Sequence, residues 1–189
     1  MTKSAARKIL RQKRAELSIR EKSKLDDLLL IQFQRSSLPH IHYLLSYWPI
    51  EDYNEPNTHL FTDYIEFMNP KLSVCYPRTD FSHHAMQAIL AKEGTSFAKN
   101  KFHIPEPREG EEISPEKLDM VFVPLLAFDT MGFRAGYGKG FYDRYLSGCR
   151  EDCLKVGFSF FEPVDKLEDT DEFDIPLDLC VTPTATYVF

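Results

Sequence analysis

Apolar and polar positions follow two rhythms along this chain. From Lys3 to Leu17 the spacing is helical: Ala6, Ile9, Leu10 and Leu17 share one face, and Lys3, Arg7, Arg11 and Arg14 form a basic stripe beside it. Ser18-Ile19-Arg20-Glu21 fits a capping box and opens a second helix through about Phe33, with Leu25, Leu28, Leu29 and Phe33 at helical spacing. Thr58 to Phe67 predicts a third helix, and Phe141 to Leu146 a short fourth. The other rhythm is the short apolar run. Ile41 to Tyr47, Leu72 to Tyr76 (ended by Pro77), Met86 to Ala91, Met120 to Leu126, Leu154 to Phe161 and Leu179 to Thr182 each read as a strand, while Lys101 to Pro107 reads as a loop. Strands alternating with helices predict an α/β fold. We expect one domain over residues 1–189, a mainly parallel open sheet with helices on both faces. In such sheets ligands bind beyond the carboxyl ends of the strands.

One stretch stands out from this pattern. Of the eight glycines in the chain, four fall in Gly132-Phe133-Arg134-Ala135-Gly136-Tyr137-Gly138-Lys139-Gly140-Phe141-Tyr142-Asp143-Arg144. The buried run Met120 to Phe128 precedes it and the helix from Phe141 follows. A strand, a glycine-rich loop and a helix start together form an anion cradle, because free N–H groups and the helix dipole point at the ligand. Arg134 and Lys139 suit phosphate oxygens, and Asp143 in the first helical turn suits Mg²⁺. The loop is neither a Walker A sequence nor a G-x-G-x-x-G turn. A tight structural turn would explain the glycines, but it needs neither two cations nor a carboxylate.

Composition narrows the class. Hydrophobic residues make up 43% and charged residues 28%, ordinary for a globular protein. No apolar run approaches the ~20 residues of a membrane span, and the basic start has no apolar segment behind it, so a cytoplasmic protein is expected. A net charge of −6 argues against nucleic acid as the partner. Cys75, Cys149, Cys153 and Cys180 form no C-x-x-C pair and are expected as reduced thiols. His40, His42, His83 and His84 lack acid or thiol neighbours at metal-ligand spacing and read as surface or loop residues. A monomer acting on a small molecule is the expectation. Asp174 and Asp178 flank the apolar Ile175-Pro176-Leu177; acids at such a turn are more often caps than ligands.

The glycine segment, preceded by Val123-Pro124-Leu125-Leu126-Ala127-Phe128-Asp129, closely resembles the signature of the 5-formyltetrahydrofolate cyclo-ligase family. The resemblance extends along nearly the whole chain: the basic first helix with Lys3 and Arg7, Glu55-Pro56-Asn57-Thr58, Ile104-Pro105-Glu106-Pro107, and Asp174-Ile175-Pro176-Leu177-Asp178, in the family's order. It implies an ATP- and Mg²⁺-dependent closure of 5-formyltetrahydrofolate to 5,10-methenyltetrahydrofolate, releasing ADP and phosphate. By the family pattern Lys3, Arg7 and the run Arg134, Ala135, Gly136, Tyr137, Gly138, Lys139, Gly140, Phe141 and Tyr142 bind ATP. Glu55 and the loop tip from Tyr137 to Phe141 meet the folate. Asp143 and Asp178 hold Mg²⁺, and Lys139 and Arg134 are the catalytic cations. The chain departs from the pattern at Ala135, where the family usually has Leu, at Phe141, often Tyr, and at His103, where Gly is common.

This chemistry matches the residue types. A formamide oxygen leaves poorly; phosphorylated, it can be expelled as phosphate when the neighbouring amine of the same folate attacks. The protein must align the reactants and neutralise spreading negative charge. A second reading stays open: a related nucleotide- or phosphate-binding regulatory module without ligase activity. The joint presence of Lys139, Asp143 and Glu55 favours the enzyme.

Overall fold

The computed structural model describes all residues, 1–189. Four helices form where the helical rhythm places them: α1 (Lys3–Ala15), α2 (Ile19–Gln34), α3 (Thr58–Met68) and α4 (Phe141–Leu146). The Thr2 hydroxyl caps α1 by accepting from the Ala5 amide. The capping box of α2 is complete. Ser18 Oγ accepts from the Glu21 amide, and the Glu21 carboxylate accepts from the Ser18 amide.

Twelve strands accompany them: β1 (Tyr43–Leu45), β2 (Ser73–Asp80), β3 (Ala85–Leu90), β4 (Phe97–Lys99), β5 (Pro105–Pro107), β6 (Glu112–Ile113), β7 (Met120–Phe122), β8 (Ala127–Phe128), β9 (Arg134–Ala135), β10 (Leu154–Phe158), β11 (Leu179–Val181) and β12 (Thr186–Val188). Eight build one sheet in the order β12-β11-β10-β7-β1-β2-β3-β6. The five central strands, β11 to β2, are parallel, and antiparallel strands close both edges. β4–β5 and β8–β9 are separate antiparallel pairs.

A central parallel strand must be apolar on both faces, and β7 is buried at all three residues. Met120 and Phe122 point to the layer of α2 and α3, where Phe33 meets Phe61, Phe122 and Phe158 edge-on at ring separations of 5.2–6.0 Å. Val121 points to the opposite layer with Tyr145 and Leu146 of α4. Helices therefore cover both faces, as the sequence predicts. α1 packs apart from these, with Ala6 and Leu10 buried against Ala127, Ala135 and Leu167. Ile9, expected on the buried face, is 40% exposed.

Several sequence expectations change. β2 does not stop at Pro77 but runs to Asp80. Its neighbour β1 ends level with Cys75, and past that point β2 pairs only with β3, so a residue lacking an N–H is tolerated there. The buried run from Met120 breaks after Phe122, and the β8–β9 hairpin lies between β7 and the glycine loop, so β9 feeds the loop. Part of the Lys101 to Pro107 loop is strand β5. No helix joins β10 to β11, and the edge strand β12 was not anticipated. No helix is long and apolar enough to cross a membrane.

From β1 the chain moves outward to β2, then returns to place β7 on the other side of β1 and continues through β10 to β11. The gap between the carboxyl ends of β1 and β7 is thus a topological switch point, where a crevice opens in sheets of this kind.

Candidate active site

Loops from both sides of that switch point line a cleft of about 610 Å³. The loop after β1 brings Tyr47, Trp48, Tyr53 and Glu55. The β9–α4 segment brings the glycine loop. The β4–β5 turn brings Lys101 and Phe102, the β10–β11 connection brings Asp174, and α1 lies across the cleft with Lys3, Arg7 and Arg11.

The glycines serve a backbone path. Gly138 and Gly140 hold φ of 83° and 64°, a left-handed conformation that costs other residues about 1 kcal/mol or more. A methyl group at Gly138 would meet the Arg7 guanidinium carbon only at an ordinary contact distance of 3.5 Å, so the left-handed φ and not crowding calls for glycine there. Arg7 Nε donates to the Gly136 carbonyl at 2.7 Å, so α1 grips the loop backbone directly.

The predicted cations divide into two kinds. Lys139 is exposed and has no carboxylate partner; its ammonium lies 3.7 Å from the centre of the Phe102 ring. Arg11 likewise rests on aromatic faces, 4.9 Å from Tyr53 and 5.9 Å from Tyr137. Arg134, by contrast, is buried. It donates to Asp143 at 2.9 Å and to the Ile175 carbonyl. Lys3 is ion-paired with Asp174.

The acids divide as well. Asp143 accepts from Arg134 and from the Ile175 amide at 3.1 Å, which ties α4 to the segment carrying Asp174. Both Asp143 and Asp174 line the cleft. Asp178 does not join them. It sits where β11 begins, at the amino ends of the strands, paired with Lys155 Nζ at 2.9 Å and lining a different cleft of about 700 Å³. Three apolar residues, Ile175, Pro176 and Leu177, carry the chain between the two acids and leave them at opposite ends of the strands, so Asp174 and not Asp178 lines the cleft with Asp143. Ala135 also lies outside the cleft, buried under Ala6 and Leu10 of α1 where a small side chain permits close packing. The other site residues expected from the sequence, including Gly136, Gly140, Phe141 and Tyr142, line the cleft.

Glu55 is 2% exposed. It accepts from the Ile50 amide at 2.7 Å and from the Tyr137 hydroxyl. Burial pushes its carboxyl upward from the ordinary range, and Arg14 and Tyr137 oppose that push. Burial likewise raises the Tyr137 hydroxyl. Glu106 is the second buried acid, accepting from Thr79 Oγ1 at 2.7 Å and Asn100 Nδ2 at 2.9 Å. Trp48, Phe81 and Phe102 supply flat apolar walls nearby. His103 has φ of 61° in the β4–β5 turn, which accounts for a glycine preference at that position.

Sequence reasoning missed Arg14, Glu106 and the aromatic walls. Arg14 belongs to the basic stripe, and nothing in the spacing separates it from Arg7. Trp48, Phe81 and Phe102 come from three distant loops.

The model of the 5-formyltetrahydrofolate cyclo-ligase family matches residues 1–183. This chain belongs to that family. A 5-formyltetrahydrofolate cyclo-ligase of Mycoplasma genitalium is 32% identical over 184 residues, covering 94% of this chain and 97% of the relative. The solved structure of a 5,10-methenyltetrahydrofolate synthetase from Aquifex aeolicus superimposes with a TM-score of 0.80 at 30% identity, covering 100% of this chain and 93% of that one. One from Mycoplasma pneumoniae gives 0.73 at 29% identity, covering 96% and 98%. The cyclo-ligase expectation drawn from the glycine segment therefore holds for the chain as a whole.

Proposed function

We propose that the cleft closes the ring of 5-formyltetrahydrofolate to give 5,10-methenyltetrahydrofolate, using ATP and Mg²⁺ and releasing ADP and phosphate. One observation carries the reading: a single cleft around the glycine loop brings together two chemistries, the α1 cations Lys3, Arg7 and Arg11, and the buried acids Glu55 and Glu106 with flat aromatic walls. A polyphosphate suits the first set and a flat pterin with N–H donors suits the second.

The residues fit both groups. Arg7, Arg11 and Lys139 have no carboxylate partners, as expected of side chains that meet an anion. The hard oxygens of Asp143 and Asp174 suit Mg²⁺, and we assign the metal to this pair in place of Asp178. ATP, when bound, supplies the phosphoryl group that turns the formyl oxygen into a leaving group, and Mg²⁺ neutralises its charge.

The remaining work falls to the chain. Arg7 holds the phosphates from α1, joined by Lys3 when Asp174 turns from it to the metal, while Gly136, Gly138 and Gly140 let the loop backbone approach them closely. Arg134, fixed by Asp143 and the Ile175 carbonyl, keeps the metal-side segments together. Glu55 accepts from the pterin and orients the formyl group towards the loop tip. Lys139 is a compact charge on a flexible stem. It can leave the Phe102 face and follow the phosphoryl group as charge develops. The aromatic walls keep water from the activated formyl group.

The test is direct. Protein, ATP, Mg²⁺ and 5-formyltetrahydrofolate are mixed and the ultraviolet absorbance of the methenyl product is followed. Product formation supports the enzyme; ATP binding by calorimetry without product would support the regulatory module.

A further inference from the structure

Arg14 is a buried arginine that the reading above leaves without a task. It is 3% exposed, near the end of α1. Its Nε donates to the Tyr53 carbonyl at 2.8 Å, Nη1 to the Leu125 carbonyl at 3.2 Å, and Nη2 to the Tyr137 hydroxyl at 2.8 Å. The same Nη2 lies 3.9 Å from Glu55 Oε1. The Tyr137 hydroxyl in turn donates to that carboxylate. Its lone pair and its proton are therefore both committed, and the ring can hold only one orientation. Tyr53, whose carbonyl Arg14 also holds, stacks on Tyr137 at 6.1 Å between ring centres. Asn54, left-handed at φ 47°, donates to the Arg14 carbonyl at 2.9 Å and locks the loop after β1 to the end of α1. A fork with this many partners is costly to desolvate and is poorly explained as packing alone.

We infer that Arg14 is a positioning residue for the folate end of the cleft: through the Tyr137 hydroxyl it ties the tip of the glycine loop to the Glu55 carboxylate, and it supplies the positive charge this buried acid needs. The inference rests on the folate reading of Glu55. The groups facing Glu55 from other elements are few. Lys22 from α2 is engaged with Asp26 at 2.7 Å. Tyr47 follows β1 and Tyr142 lies on α4; burial and then the Glu55 carboxylate hold both of their hydroxyls above the ordinary range, while Arg11 faces the Tyr137 ring. Burial raises the Glu55 carboxyl, and Arg14 is the largest influence opposing it. Removing the guanidinium moves the Glu55 titration upward, and the carboxylate is lost at a higher pH. An opposite charge at this range is commonly worth about one unit or more.

The experiment has two readouts. The first is the pH titration of the Glu55 side-chain carboxyl, followed by carbon NMR in the free protein. In Arg14→Gln it should move up by about one pH unit. In Arg14→Lys, which keeps the charge and drops the fork, it should stay near wild type. The second is the pH profile of methenyl formation. The acid limb of kcat/KM for the folate should move up with the NMR titration in Arg14→Gln, folate KM should rise, and ATP KM should stay within about twofold. Arg14→Lys should keep the limb in place and raise folate KM through the loosened Tyr137. Where Arg14→Gln does not fold, Arg14→Lys and Tyr137→Phe decide: Tyr137→Phe removes one opposing hydrogen bond and should move the NMR titration up. An unmoved Glu55 titration in folded Arg14→Gln, an equal shift in Arg14→Lys, or a loss of activity uniform across pH would overturn the inference. A wild-type protein that makes no methenyl product would sink the folate reading instead, and the NMR arm would still report on Arg14.

Discussion

Removing the Lys139 ammonium separates catalysis from binding more cleanly than any other change at this site. The Lys139 side chain makes one ground-state interaction, its ammonium 3.7 Å from the centre of the Phe102 ring. A contact of that kind at an exposed position contributes about 1 kcal/mol or less. The flanking Gly138 and Gly140, at φ 83° and 64°, hold the loop path without help from the Lys139 side chain. Lys139→Ala should therefore fold and melt within a few degrees of wild type. Its ATP affinity should fall only a few-fold, since Lys3, Arg7 and Arg11 remain. If the ammonium follows the phosphoryl group, the loss appears in kcat, because only an interaction stronger in the transition state accelerates the step. Loss of one such charge commonly lowers the rate on the order of a hundredfold or more. Lys139→Arg should recover only part, as a planar guanidinium fits poorly between two left-handed glycines. The assay pairs steady-state kcat with calorimetric ATP affinity and a thermal melt. A normal kcat, or a defect lying wholly in ATP affinity, would show that Lys139 only anchors the nucleotide.

Arg7→Ala should raise the apparent KM for ATP about tenfold, from loss of a charged donor to the loop and ligand, and change the folate KM much less; steady-state titration of each substrate measures both, and equal effects would remove Arg7 from the phosphate side. Asp174→Asn should raise the Mg²⁺ concentration needed for half-maximal activity, whereas Asp178→Asn, at a residue paired with Lys155 at the opposite end of the strands, should leave it unchanged; the reverse order would restore Asp178 as the ligand. Gly157→Ala would place a methyl group 2.5 Å from Leu125 Cδ2 and 2.7 Å from Leu177 Cδ1, both buried, and should cost about 1–3 kcal/mol by urea unfolding. A change under about 0.5 kcal/mol would mean the two leucines repack freely.

The legible parts of the fold are those set by local rules. The Ser18–Glu21 capping box, the limits of α4 and the buried β7 run follow from spacing and short-range hydrogen bonding. Features that depend on distant neighbours were hidden. Pro77 reads as a strand end until β1 is seen to stop level with Cys75. The β8–β9 hairpin is invisible in an apolar run that looks continuous from Met120 to Phe128. That the glycine loop, Lys3, Arg7, Glu55 and Asp143 line one cleft was legible, the loop from its residue types and Glu55 only from the family resemblance. Which of Asp174 and Asp178 lines the cleft was not legible, since the segment Ile175-Pro176-Leu177 leaves the two acids at opposite ends of the strands. Arg14 shows the same limit. One basic residue of a helical stripe is buried in a polar network while its neighbours face the cleft, and only the packing of α1 against the loop after β1 separates them.

If one cleft couples nucleotide cleavage to ring closure, ADP and methenyl product must appear together. The most direct measurement is the ratio of ADP released to methenyl product formed, taken from the same reaction by chromatography and by ultraviolet absorbance, with and without ATP. Coupling predicts a ratio of about one, from the one phosphoryl transfer per ring closure, and no enzyme-dependent product without ATP. Methenyl product formed at the same rate in the absence of ATP, or ATP hydrolysis that continues unchanged when the folate is left out, would contradict it.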